Sequence, residues 1–176
     1  ITVLRLEPRT HADVQRVLRT VAEAIGVPRS EADRVWREID AGVQAAVQSL
    51  KPQARSLRVY FEVSPTPYGA SESSFIGETL LRMGVSNILP AALGPFPQIN
   101  PEFVVRAQPD VIMAGDSSRA SMLQRPGWAQ MRAVREDRIC VFQPEQADIV
   151  VRAGPRMAEG ARLMAECLNR TAGGAR

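Results

Sequence analysis

Groups able to do chemistry are few in this 176-residue chain, and their spacing is uneven. His11 is the single histidine, so a Ser-His-Asp relay would have to be built on it. It stands at the start of a helical pattern, far from the loops that could hold a substrate, and reads as a surface or helix-capping residue. Glu62, on an apparent strand, and Glu72, in a loop, are the candidate paired carboxylates for general acid-base work. Their spacing is equally that of solvated charges. Cys140 falls in an apparent strand and Cys167 in an apparent helix. They lack the spacing of a metal site, and one histidine cannot complete a zinc centre. They read as buried thiols, with a disulfide as the alternative in an oxidising compartment. No GxGxxG motif or Walker loop is present, so no phosphate cradle is expected. No catalytic residue, metal or cofactor is called for.

The stretch GPFPQINPEF is different. Pro95 and Pro97 fix the backbone on either side of Phe96 and remove its neighbours' donors, so the ring is presented stiffly, either to something outside the core or as a loop anchor. Asn100, Pro101 and Glu102 then form a good helix start: a side-chain cap, a proline in the first turn and an acid at the positive end of the dipole.

The elements that must hold these residues follow from hydrophobic spacing. ITVLRLEP reads as a strand, and residues 12–25 as a helix closing at Gly26. Ser30 is the expected N-cap of a longer helix through Val35, Ile39, Val43, Val47 and Leu50, about 30 Å long and stopped by Pro52. SLRVYFEVS alternates, with Leu57, Val59, Phe61 and Val63 inward and Arg58, Tyr60 and Glu62 on the other face. PTPYGASES is a loop, SSFIGETLLRMG a helix, and residues 101–107 another. PDVIMAG and DRICVF are further strands, and GPRMAEGARLMAECLNR is a last helix with Pro155 in its first turn. Trp128 reads as core. Strand and helix in alternation predict a mainly parallel sheet covered on both faces, a three-layer α/β/α arrangement. Ligands of such sheets sit beyond the carboxyl ends of the strands, which points to the loops after Val63, Met113 and Phe142.

The bulk numbers suit a globular domain of this size: 45% hydrophobic and 23% charged residues, with a net charge of +3. The arginines are distributed among acids along the helices, with no basic-aromatic tract, so nucleic acid is not an expected partner. No apolar run reaches the roughly 20 residues of a membrane span, so no membrane insertion is expected. The chain opens at Ile1 without methionine or signal peptide, which predicts a processed or truncated start.

In this order, RVYFEVSPTPYGASESSFIGETLLRMGVSNILP, PFPQINPEFVVRAQPDVIMAG, RPGWAQMRAVREDRICVFQPE and RAGPRMAEGARLM resemble successive landmarks of one family. It is the substrate-binding proteins of ABC importers for cobalamin, iron-siderophores and haem, two α/β lobes joined by one long helix. The cobalamin branch is the most similar. The resemblance implies that residues 1–27 are the last strand and helix of an N-terminal lobe, 28–54 the interlobe helix, 55–170 the C-terminal ligand-binding lobe, and 171–176 a disordered tail. It implies a periplasmic protein, monomeric when full length, that catalyses nothing, partners an importer permease and moves its lobes little on binding. The expected ligand is cobalamin or a related corrinoid, with a ferric siderophore or haem as the alternative. A small α/β enzyme or regulatory domain that kept the architecture, and an inert structural fragment, are the readings from other classes.

Residue by residue, Phe96 stands where the cobalamin binders carry a ligand-packing tryptophan, and Tyr68 near a loop aromatic. Asp148 and Arg152 match polar contacts to the corrin side chains, on the loop leading into the last helix. The bland reading of that pair is a surface ion pair. Glu102 matches the glutamate that docks on arginines of the permease.

Overall fold

The computed structural model describes residues 3–65, 67–115 and 117–173. Two helices come first. The helix α1 (His11–Ala24) is closed at its start by a capping box, in which Thr10 accepts from the Asp13 N–H and Asp13 returns a bond to the Thr10 backbone. The longer α2 (Arg29–Gln48) starts one residue before the expected Ser30 cap. Pro28 occupies the N-cap position and no side chain caps the helix. Asp33 pairs with Arg19 of α1 at 2.6 Å and ties the two helices together.

The expected opening strand is not found. Residues 3–10 form no ladder, and Val3 is 83% exposed. Among the described residues no strand pairs with this stretch, and extended backbone without a partner is not a sheet. Residues 1 and 2 of that expected strand lie outside the described residues.

The sheet follows the alternating segments. Its strands are β1 (Arg58–Ser64), β2 (Tyr68–Gly69), β3 (Ser86–Asn87), β4 (Val111–Ala114) and β5 (Ile139–Val141). The order is β2-β1-β4-β5, with β3 also on β1; every pairing is parallel except β2 on β1. Between the strands run α3 (Phe75–Arg82), α4 (Pro101–Ala107), α5 (Arg119–Leu123) and α6 (Arg132–Arg135), and after them α7 (Pro144–Val150) and α8 (Met157–Ala172).

Strand alternation sorts the core into two layers. Val59, Phe61, Val111, Met113, Cys140 and Phe142 pack with residues of α2, α3, α7 and α8. Tyr60, Ile112, Ala114 and Ile139 pack on the opposite layer with Val104, Met122, Trp128 and Met131. The expected three-layer α/β/α architecture is therefore present. α2 and α8 approach so closely that a Cβ on Gly42 would lie 2.5 Å from the Ala158 methyl.

Three local expectations are corrected. Cys140 and Cys167 are joined in a disulfide, linking β5 to α8, and are not free thiols. The last helix begins at Met157, so Pro155 precedes it. That helix also runs through Thr171, which is buried, to Ala172, so the expected tail at 171 is helical at its start; residues 174–176 lie outside the described residues.

Candidate ligand site

β1, β4 and β5 run parallel and end together at Ser64, Ala114 and Val141, so the loops that follow them share one edge of the sheet. Just beyond β1 the chain reverses into β2, with Ser64 opposite Tyr68 and Glu62 opposite Gly69. The stretch around Phe96 lies along the far side of β2. The Gly69 N–H donates to the Pro97 carbonyl and the Ser71 N–H to that of Pro95, both at 3.0 Å, and the Ile99 N–H donates to the Pro67 carbonyl at 2.7 Å. Tyr68 bridges to Gln98. The prolines suit this pairing because it asks only for their carbonyls. Tyr68 and Phe96 are thus brought into one short antiparallel ladder. Tyr68 is 40% exposed, and its hydroxyl makes no hydrogen bond among the described residues. Phe96 is half-buried, edge-on to Phe75 with ring centroids 6.1 Å apart, so one side anchors the loop while the rest stays open.

Of the two residues expected on the loop leading into the last helix, Arg152 is there and Asp148 is not. The segment after β5 is the helix α7, started by Pro144 and a box between Gln143 and Gln146. Asp148 lies within it and Arg152 just past its C-cap, Val151. One helical turn brings them together: Arg152 Nη2 lies 2.9 Å from Asp148 Oδ1. Both side chains are well exposed. Val63, Pro144, Ala147, Asp148 and Val151 border a shallow hollow between the end of β1 and α7. Gly115 allows this approach, since a Cβ there would meet the Val151 side chain at 2.6 Å.

Glu102 is exposed in the first turn of α4, where the Asn100 side chain accepts from its N–H at 2.9 Å. Its carboxylate forms no salt bridge among the described residues. α4 starts directly after the Phe96 loop, so Glu102 borders the same edge of the molecule.

Glu62 and Glu72, the candidate carboxylates, do not form a pair. Glu72 accepts from the Ala91 N–H at 3.3 Å. Glu62 is fully buried, because the face of β1 read as outward is covered by the second helical layer. Its carboxylate accepts from Arg125 Nη1 at 2.6 Å and Nη2 at 2.9 Å, from the Tyr60 hydroxyl at 3.2 Å, and from Ser117. Arg125 also lies 4.5 Å from the Trp128 ring centre, and Trp128 donates to the Pro101 carbonyl at 3.3 Å. Burial, then the neighbouring carboxylate, holds the Tyr60 hydroxyl far above its ordinary range; the Glu62 hydrogen bonds push Arg125 up. With four bonds to one carboxylate, this cluster is a lock and offers nothing to a substrate. A sequence signal for it exists: in a sheet covered on both sides, Glu62 on the Tyr60 face requires a buried cation.

His11 is likewise neither cap nor free surface. Its Nε2 lies 2.9 Å from Thr79 Oγ1 and 3.1 Å from the Phe75 carbonyl, and its backbone N–H donates to Glu78 at 2.6 Å, fastening α1 to α3.

A sequence model described as periplasmic binding protein matches residues 1–145. An uncharacterised ABC transporter substrate-binding lipoprotein of Bacillus subtilis strain 168 is 28% identical over 174 residues, which are 96% of this chain and 54% of that protein. The chain thus spans about half the length of this relative. Among solved structures, a possible iron-binding (periplasmic solute-binding) protein of Staphylococcus epidermidis superposes with a TM-score of 0.78 at 19% identity, over 95% of this chain and 66% of that one. A periplasmic haem-binding protein of Roseiflexus gives 0.72 at 23% identity, over 94% and 65%. The periplasmic vitamin B12 binding protein of Vibrio cholerae gives 0.70 at 18%, over 97% and 66%. These structures share the fold, and the match over most of its length places the chain itself in the periplasmic binding protein family.

Proposed function

We propose that this chain is the linker helix and C-terminal lobe of the substrate-binding component of an ABC importer. In this reading residues 1–27 close an N-terminal lobe, α2 joins the lobes, and the ligand lies between them. The whole protein works as a monomer in the periplasm and delivers its ligand to a permease without chemical change. Cobalamin or a related corrinoid is the ligand proposed. The observation that carries the reading is the ladder of residues 67–71 with 95–99, which holds two aromatics at the carboxyl edge of a parallel sheet. Phe96 and Tyr68 offer apolar surface there. Asp148 and Arg152, exposed and paired with each other alone among the described residues, can exchange partners with amide groups of a ligand. Glu102, a carboxylate without a salt bridge among the described residues on the same edge, would meet basic residues of the permease.

A second reading, haem or a ferric siderophore, is favoured by one observation: the Tyr68 phenol is exposed and without a hydrogen bond among the described residues, as an iron ligand would need to be. Calorimetric titration of the full-length protein with cyanocobalamin separates them. Tight binding, weakened about tenfold or more by Phe96→Ala and by Arg152→Ala, is expected, a charge-assisted bond being worth about 1.5–3 kcal/mol. No heat with cyanocobalamin, and a shifted visible spectrum on adding haemin that Tyr68→Phe abolishes, would replace the corrinoid with haem.

A further inference from the structure

We propose that the end of the sheet opposite the candidate ligand site is a docking surface for a linear, phosphate-bearing polyanion of the cell envelope. The net charge is only +3, and along the sequence the arginines look dispersed. Folding gathers them. The residues leading into β1, β4 and β5 meet at one pole together with the last turns of α4, α6 and α8. There the Arg58 N–H donates to the Asp110 carboxylate at 2.9 Å, the Ile112 N–H to the Arg138 carbonyl at 3.0 Å, and the Lys51 N–H to Asn169 at 2.8 Å.

Five basic side chains at this pole have internal partners. Arg55 donates to the Val47 and Met83 carbonyls, and Arg58 to that of Gln108, answering the negative ends of helices. Arg119 pairs with Asp137, while Arg132 and Arg138 share Glu136. Four more, Lys51, Arg106, Arg135 and Arg170, are exposed and form no salt bridge among the described residues. Among the described residues the Arg170 guanidinium donates to Cys140 Sγ at 3.0 Å and to no carboxylate. Beside it, in an open hollow lined by both residues, buried Arg138 keeps an Nε without a partner. Among the described residues Asp110, Glu136 and Asp137 stand among these nine cations, and Glu166, paired with Arg162, borders a hollow with Arg170. Elsewhere Arg34 and Arg162 are paired within their own helices, while Arg29 and Arg37 on α2 are exposed without a salt bridge among the described residues.

Guanidinium groups bind phosphate oxygens through two parallel bonds. Unpaired cations spread over the ends of several helices, on both sides of the sheet, suit a chain of repeated phosphates better than one small anion. The choice of a polymer over a lipid headgroup rests on the proposed function. If the edge bearing Glu102 docks on a permease, this pole points away from the bilayer.

The test is titration of the full-length protein with linear inorganic polyphosphate, with no cleft ligand present, between about 50 and 200 mM salt. Binding should weaken steeply with salt. Arg135→Gln with Arg170→Gln should cost about tenfold at the lower salt and flatten the log-log slope by about 1.4, roughly 0.7 per lost contact to a single strand. Arg34→Gln with Arg162→Gln removes the same charge elsewhere and should leave binding unchanged. Absence of binding at the lower salt, or equal loss in the two double variants, overturns the site. Tighter binding to phosphatidylglycerol vesicles than to polyphosphate overturns the polymer and assigns the pole to a bilayer. A failed cobalamin titration leaves the pole's binding measurement intact, and a failed polyphosphate titration leaves the cleft reading intact.

Discussion

Two arginine-carboxylate pairs in this chain are chemically alike and physically opposite. Glu62 is fully buried and Arg125 nearly so, while Asp148 and Arg152 are largely open to water. Removing two charges from water is expensive, and the buried pair is tolerable only because Tyr60, Ser117 and two guanidinium bonds satisfy the carboxylate together. The exposed pair gains about 0–1 kcal/mol and is held by nothing else. The first therefore fixes the loop after β4 and the Trp128 segment to the central strand. The second is free to change partner. A binding protein needs both: a wall that does not move and polar groups that do.

The largest effect should come from breaking the buried pair. Arg125→Met leaves the Glu62 carboxylate buried without its cation, and about 3–5 kcal/mol of stability should be lost in urea unfolding. Adding Glu62→Leu removes the stranded charge and should recover most of that loss. If the double variant were no more stable than Arg125→Met, the cation-π and packing contacts of Arg125, and not the charge pair, would be holding the layer.

His11 lies between the two extremes, half-buried at the joint of α1 and α3. Burial lowers its pKa below the ordinary 6.5, opposed by Glu78 and Asp40 and assisted by Arg82, whose Nη1 stands 3.5 Å from Nδ1. Thr79 already donates to the Phe75 carbonyl at 2.8 Å, so Nε2 carries the imidazole proton toward Thr79, and Nδ1 faces the guanidinium without one. The unfolded chain takes up a proton near pH 6.5 and the folded chain only at lower pH, so the unfolded state binds more protons in that interval. The stability contributed by neutral His11 is complete above about pH 6.5. It falls as the pH drops from there through the folded pKa. His11→Gln should flatten the unfolding free energy across this window; an unchanged slope would show that His11 does not set it.

Much of the architecture was legible because it rests on local periodicity. The helix at 101–107, the alternation of β1 and the two-sided sheet all follow from residue spacing. What failed was set by partners distant in sequence. ITVLRLEP has the composition of a strand, but a strand is made by its neighbour. Glu62 looked like a solvated charge because the Ser117 and Arg125 side chains that meet its carboxylate come 55 and 63 positions later. The disulfide joins cysteines 27 residues apart, and only the tertiary fold brings β5 against α8. Asp148 was assigned to a loop because α7 is only seven residues long, too short for a clear hydrophobic period. The basic pole is the same lesson on a larger scale: arginines dispersed along the chain are collected by the ends of parallel strands.

The smallest effect on stability, and the most informative for function, belongs to the exposed pair. Arg152→Met should change the unfolding free energy by less than about 1 kcal/mol, since the guanidinium is three-quarters exposed and its one carboxylate partner returns to water when released. If the pair serves a ligand, the same substitution should weaken cyanocobalamin binding by the full-length protein about tenfold or more, because a bound ligand excludes water and leaves its amide acceptor unpaired. Asp148→Asn tests the other half, keeping the side chain's shape while removing the charge that steadies Arg152. A loss of binding in both variants at unchanged stability would separate the exposed pair from the buried one by role as well as by energy. Unchanged binding in both would reduce Asp148 and Arg152 to a surface ion pair, and the wall of the site would be left to Tyr68 and Phe96.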